Sequence, residues 1–188
     1  MPVILSRRDA AARELMDRPD CDPDMLATTY RNFAKVNRLF AAWRRVYLRL
    51  LRPLLRPGVP ATLLDIGCGG GDVVRTLDRW ATADGLCLRV TGIDPDPRAA
   101  AFLAAGPVQA NVRYFAATAA ELATRGERYD FVISNNVLHH LPPGRLAAFC
   151  RHSRVLCRQR VIHNDIRRGD LAYVLFGLLT GPFFRGSF

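Results

Sequence analysis

The sequence predicts a doubly wound α/β domain, a mostly parallel sheet with helices on both faces. From residue 61 onward, five short runs of branched and apolar residues alternate with stretches of helical periodicity. The first run feeds straight into the glycine-rich loop Gly67-Cys68-Gly69-Gly70-Gly71 and then a helix. At 188 residues, 49% apolar and 23% charged, the chain suits one buried core and argues against disorder or a fibrous repeat.

Residues 1–56 read as a helical segment leading into that domain. Asp22 before Pro23 is an N-cap with proline at the first helical position. Tyr30, Phe33, Asn37, Phe40, Trp43, Tyr47, Leu50, Leu51 and Leu54 then recur at spacings of three and four, interleaved with arginines, as in one or two helices packed on a core. Pro53, Pro57, Gly58 and Pro60 end the segment. Residues 57–188 make the sheet domain, one structural unit with the leading helices. Its strands are predicted at 62–66, 86–93, 112–116, 129–134 and 159–164. Helices are predicted at 72–80, 97–103, 119–125, 144–155 and 170–179.

Charge is the unusual part of the composition. Lys and Arg number 27 against 17 Asp and Glu, a net +10, and only Lys35 among the basic residues is lysine. An anionic partner is one reading, whether nucleic acid, membrane surface or acidic ligand; arginines scattered over solvated faces from Arg7 to Arg185 are the other. The five cysteines are odd in number and form no CxxC pair, which favours neither a disulfide framework nor a zinc site and fits a reducing cytoplasm. Residues 1–5 precede Arg7 and Arg8, the wrong order for a signal peptide. The apolar stretch 171–184 is interrupted by Gly177, Gly181 and Pro182 and is shorter than the ~20 residues a bilayer span needs.

The segment Leu63-Leu64-Asp65-Ile66-Gly67-Cys68-Gly69-Gly70-Gly71-Asp72 carries the most chemistry. Glycines at 67, 69 and 71 permit positive φ and close approach of a ligand to the backbone. A dinucleotide fingerprint would place glycine where Asp72 stands, and no GxxxxGK[ST] motif occurs, so pyrophosphate and triphosphate ligands fit poorly. Asp72 would compete with a phosphate at the helix start, and Asp65 adds a second negative charge. Such a loop suits a ligand with an ammonium or sulfonium cation. The second strand ends in Gly92-Ile93-Asp94-Pro95-Asp96, and an acid at Asp94 can accept both hydroxyls of a ribose. Taken singly, Asp65 also reads as a turn former and Asp94 as the N-cap of the helix beginning at Pro97.

With Asp65, Gly67, Gly69 and Gly71 matching a DxGxGxG loop, residues 61–166 resemble the class I S-adenosylmethionine-dependent methyltransferases, whose sheet is Rossmann-like. The resemblance implies S-adenosyl-L-methionine as cofactor and S-adenosyl-L-homocysteine as product. It assigns Asp65, Gly67, Cys68, Gly69 and Gly71 to the methionine end, and Asp94 with Pro95 to the ribose. Thr118 and Ala119 take the place near the adenine where the family often has an acid, and Asn135 lies on the cofactor edge of the fourth strand.

The fourth strand runs into Ser134-Asn135-Asn136-Val137-Leu138-His139-His140, at the end of the sheet that faces the ligand crevice. Methyl transfer to a hydroxyl needs alignment, exclusion of water and a proton acceptor, and His140 or His139 can be that base. Capping or packing roles fit the same histidines. Neither a [DNS]PP[YF] loop nor a cysteine beside proline is present, which disfavours methylation of nucleic-acid bases despite the charge. Asn164, Asp165 and Arg167 follow the fifth strand and face the acceptor or cap the loop.

The leading segment resembles that of small stand-alone bacterial methyltransferases of natural-product pathways, in which the first helices fold over the cofactor as a lid and build the acceptor pocket. Tyr30, Phe33, Asn37, Arg38, Phe40 and Trp43 are then candidate lining, suited to a flat phenolic or quinone-like molecule. In the complete family sheet an antiparallel hairpin follows the fifth strand, whereas only residues 166–188 remain here, so the hairpin is expected to be missing. Its strands are absent, lost from a shortened chain or supplied by a second subunit, as in a homodimer. Together these readings predict a cytoplasmic methyltransferase acting on a small molecule, at oxygen. The alternatives are a cofactor-binding protein without turnover and an RNA methyltransferase.

Overall fold

The computed structural model describes Met16, Arg18 and residues 20–40 and 42–166. The predicted helix at 170–179, the apolar stretch 171–184 and Arg167 lie outside these residues. Asp22 caps the first helix, α1 (Pro23–Phe40), by accepting from the amides of Asp24 and Met25 at 2.8 and 3.3 Å. The leading segment is not one continuous helix. Ala42 has φ of 53°, a conformation that ends α1 and turns the chain into α2 (Trp43–Val46). A π-helical turn (Tyr47–Leu51) and a 3-10 turn (Arg52–Leu54) follow, and together they bury Trp43, Tyr47, Leu51 and Leu55 at every fourth position.

The sheet alternates with helices throughout: β1 (Ala61–Ile66), α3 (Asp72–Ala83), β2 (Leu88–Asp94), α4 (Pro97–Ala104), β3 (Val112–Ala116), α5 (Ala119–Thr124), β4 (Tyr129–Asn135), α6 (Pro143–Leu156) and β5 (Cys157–Asn164). Five parallel strands lie in the order β3-β2-β1-β4-β5, with the reversal of winding between β1 and β4. This is the predicted fold class. Alternate faces of the strands feed two cores, one around Leu63, Leu77 and Phe131 and the other around Leu64, Leu122 and Val132.

Two strand starts differ from the expected ones by two residues, and the other differences are of a single residue. Leu86 lies in the turn that closes α3 and precedes β2, because Gly85 at φ +69° lets the Leu86 amide reach back to the Ala81 carbonyl at 2.8 Å. The fifth strand starts earlier, at Cys157 opposite Tyr129, and a register irregularity between Tyr129 and Phe131 takes up the slack. The α4 cap is Asp96, whose carboxylate accepts from the Arg98 amide at 2.9 Å, and not Asp94. Asp94 stands two residues earlier, at the end of β2.

Candidate functional site

All five strands end at the same sheet edge, so the loops after β1, β2 and β4 and the residues after β5 converge there. The loop after β1 needs glycine for two separate reasons. Gly67 has φ of +74°, and a Cβ there would lie 2.6 Å from Val137 in the loop after β4. Gly71, at φ +67°, would drive a Cβ into Leu103 and Tyr114 at 2.6 and 2.8 Å. The loop is therefore a close-packed turn held from several sides.

Asp94 braces it. One carboxylate oxygen accepts from the Gly69 amide and the other from the Asp96 amide, both at 2.9 Å. Asp65 is buried at the end of β1, opposite Gly92 in the register, and its Oδ1 has no hydrogen-bond partner among the described residues. Burial first, and then the charges of Asp72 and Asp94, push its carboxyl well above the usual range. Asp72 is also raised by burial, against the bond it accepts from Asn37 at 3.1 Å. Three carboxylates thus share one end of the sheet, and the innermost has an unused oxygen. A ligand bringing a cation or N–H donors would relieve that site. Cys68 is buried beside them with its thiol pushed up by burial and by Asp65 and Asp94, so it packs as a neutral side chain.

On the other side of the switch point, the β4–β5 register sets Ser134 opposite His163 and Asn135 opposite Asn164. Ser134 Oγ lies 2.8 Å from His163 Nδ1, and Asn164 donates to Asn135 Oδ1 at 2.9 Å. The same Asn135 oxygen accepts from the Trp43 indole at 3.0 Å, and its amide donates to Asn37 at 3.1 Å. Asn37 donates in turn to Asp72, so an amide chain ties the leading helices to both halves of the edge.

The histidines after β4 are not equivalent. His139 Nδ1 lies 2.7 Å from Asp165 Oδ1, and Asp165 Oδ2 accepts from the Leu138 and His139 amides at 2.6 and 3.2 Å. Burial opposes the Asp165 charge, but the His139 contact and the backbone donors hold its carboxyl below the usual range. An ionised Asp165 accepts from Nδ1–H and so fixes the orientation of the His139 ring. His140 is exposed and stacks on His139 with ring centroids 4.1 Å apart.

Of the remaining expected residues, Tyr30 packs on the glycine loop, where a Cβ on Gly70 would meet it at 2.8 Å, and against Phe102 at 5.1 Å between rings. Trp43 is 3% exposed and belongs to the core except for its indole N–H. Phe33 is half-buried and Arg38 exposed on α1, and Phe40 is the last residue of that helix. Thr118 forms a capping box with Glu121, accepting from its amide at 3.3 Å while its own N–H and O–H donate to the carboxylate. Pro95 is exposed and Ala119 buried. Sequence reasoning missed the bracing of Gly69 by Asp94 and the pairing of Asp165 with His139. The only sequence signal for the latter is that both follow strands that turn out to be neighbours.

Residues 63–159, just over half of the chain, match the family described as "Methyltransferase domain". The chain belongs to the class I S-adenosylmethionine-dependent methyltransferases. Among curated methyltransferases it is 40% identical over 92 residues to trans-aconitate 2-methyltransferase of Streptomyces avermitilis, covering 46% of this chain and 32% of that one. It is 39% identical over 89 residues to ubiquinone biosynthesis O-methyltransferase of Azorhizobium caulinodans, covering 46% and 33%. The match spans about a third of the length of these methyltransferases. The fold resembles that of magnesium protoporphyrin IX methyltransferase from Synechocystis PCC 6803, solved with bound S-adenosylmethionine, at a TM-score of 0.52 and 20% identity over 78% of this chain and 77% of that one.

Proposed function

We propose that this methyltransferase domain binds S-adenosylmethionine at the β1–β2 edge and methylates a small-molecule acceptor at a phenolic or quinone-like hydroxyl. The observation that carries the first half is the buried, unpartnered Asp65 oxygen behind the glycine loop. That acidic, phosphate-averse loop suits the ammonium and sulfonium of the cofactor's methionine end, and Asp94 suits its ribose. S-adenosylmethionine supplies, when bound, an electrophilic methyl group on a sulfonium. The protein's own part is to align the acceptor, keep water out and take a proton.

We assign the last task to His139, whose ring Asp165 orients through Nδ1 at the edge where the acceptor would lie. Asn37, Asn135 and Asn164 offer polar contacts on the same edge, and Trp43 holds Asn135 in place. The ubiquinone biosynthesis O-methyltransferases among the relatives support oxygen as the methylated atom. Calorimetric titration with S-adenosylmethionine, S-adenosylhomocysteine and NAD tests the cofactor, with micromolar binding of the first two alone expected. S-adenosylhomocysteine release with a panel of phenols then tests transfer. Binding without product from any acceptor would leave a cofactor-binding protein, and binding of NAD would overturn the cofactor.

A further inference from the structure

The net charge of +10 is concentrated. Between Asp24 and Asp65 the sequence has no acidic residue, yet Arg38, Arg44, Arg45, Arg49, Arg52 and Arg56 all fall there. In the stretch that leads into β1, Trp43, Tyr47, Leu51 and Leu55 face the core. The opposite face alternates exposed arginines with Leu48, Leu50 and Leu54, which are 43%, 37% and 37% exposed, and Val59 at 56% continues it. Arg52 is paired with Asp84 at 2.7 Å, and Arg44 lies over the Tyr47 and Trp80 rings at 5.9 and 5.1 Å. Arg45, Arg49 and Arg56 have no ion-pair partner among the described residues. An open groove of about 440 Å³, lined by Arg38, Trp43, Arg44, Arg45, Leu48 and Arg49, runs along this face.

Exposed leucines level with unpaired guanidinium groups are poorly explained by solvation, which favours polar side chains throughout an outer face. A nucleic acid would use the arginines and leave the leucines in water. A soluble anion would occupy the groove without covering Leu50, Leu54 or Val59. A lipid surface uses both kinds of side chain, with leucines at the acyl boundary and guanidinium groups on the headgroup phosphates.

We propose that residues 44–59 form a docking face for anionic phospholipid membranes, with the arginine-lined groove taking a headgroup. The exposed residues of this face that the test alters, Arg45, Leu48, Arg49 and Leu54, have no part in the proposed methyl transfer. The test is co-sedimentation of the full chain with vesicles of phosphatidylcholine alone and of phosphatidylcholine mixed with phosphatidylglycerol, at low and high salt. Binding is expected only to the mixed vesicles and to weaken with salt. Each arginine at an anionic surface contributes about fivefold in affinity, so the charge reversal Arg45→Glu with Arg49→Glu should lower binding by more than about twentyfold. The charge-preserving pair Leu48→Ser with Leu54→Ser should lower it several-fold. All four positions are exposed, so both variants should keep the parent's thermal midpoint. Absent binding to mixed vesicles, equal binding to neutral ones, or a serine variant as tight as the parent would overturn the proposal. The last result would assign the arginines to a soluble polyanion such as RNA.

Discussion

The two halves of the carboxyl edge handle a buried carboxylate in opposite ways. At the β1–β2 half, Asp65 is desolvated beside two further acids and keeps an oxygen without a partner among the described residues. At the β4–β5 half, Asp165 is met by His139 and by backbone amides, and its charge is stabilised in place. The first arrangement leaves an acceptor oxygen that, under the proposed function, the cofactor would meet; the second is satisfied by protein groups and, under the same reading, orients a base. The contrast teaches that burial alone does not define a role for an acid, and that the role follows from what is left unpaired.

The contrast breaks hardest at His139. His139→Ala should reduce turnover by about 10²- to 10⁴-fold while leaving cofactor affinity within a few-fold. Asp165→Asn should reduce it less and shift the pH–rate profile, since Nδ1 loses its ionised partner. His140→Ala should leave turnover within a few-fold, and steady-state kinetics with a transferred acceptor ranks the three. A larger loss in His140→Ala would move the base to the exposed ring.

Asp65→Asn sharpens the other half. Loss of a charge-assisted contact should weaken S-adenosylmethionine by about 10- to 100-fold in calorimetry. The effect on stability has the opposite sign. The folded carboxyl of Asp65 is raised, so its contribution is favourable below the unfolded value of ~3.9 and is lost as pH rises above it. The asparagine variant should therefore keep or raise the thermal midpoint at neutral pH. Cation binding to the parent should release a proton, detected as a buffer-dependent binding enthalpy, and that dependence should vanish in the variant.

Asp94→Ala should weaken cofactor binding by about 1–3 kcal/mol, with part of the loss arising through the released Gly69 amide. Unchanged affinity would remove Asp94 from the site. The smallest effect belongs to His163. Burial holds its ring below the usual histidine range, against the charge of Asp165, so its stabilisation is present above the unfolded value of ~6.5 and fades as pH falls below it. Thermal melts at descending pH should show this slope in the parent and lose it in His163→Gln.

Much of the β1–β2 half is legible in the amino-acid sequence. The run from Leu63 to Asp72 declares strand, loop and helix through local signals, and Gly67, Gly69 and Gly71 do take positive φ. Asp94 is recognisable because it ends a strand at a fixed interval from that loop. The break at Ala42 is not legible, since alanine carries no signal for a left-handed conformation, while Trp43 and Tyr47 just after it are buried in the core. Trp43 itself shows how periodicity misleads about depth, because an aromatic on a lid and one in a core repeat at the same spacing.

By itself, the sequence determined the alternation of strands and helices, the glycine turn and the acids flanking it, because each depends on residues within a few positions of one another. Only the tertiary structure decided which histidine has a carboxylate, which asparagines meet Trp43 and which tyrosine covers the loop. Those contacts join residues as far apart as 26 positions for His139 and Asp165 and 98 for Asn37 and Asn135. Strand order and parallel register bring β4 and β5 together, and pairing across that distance has no signature in local composition.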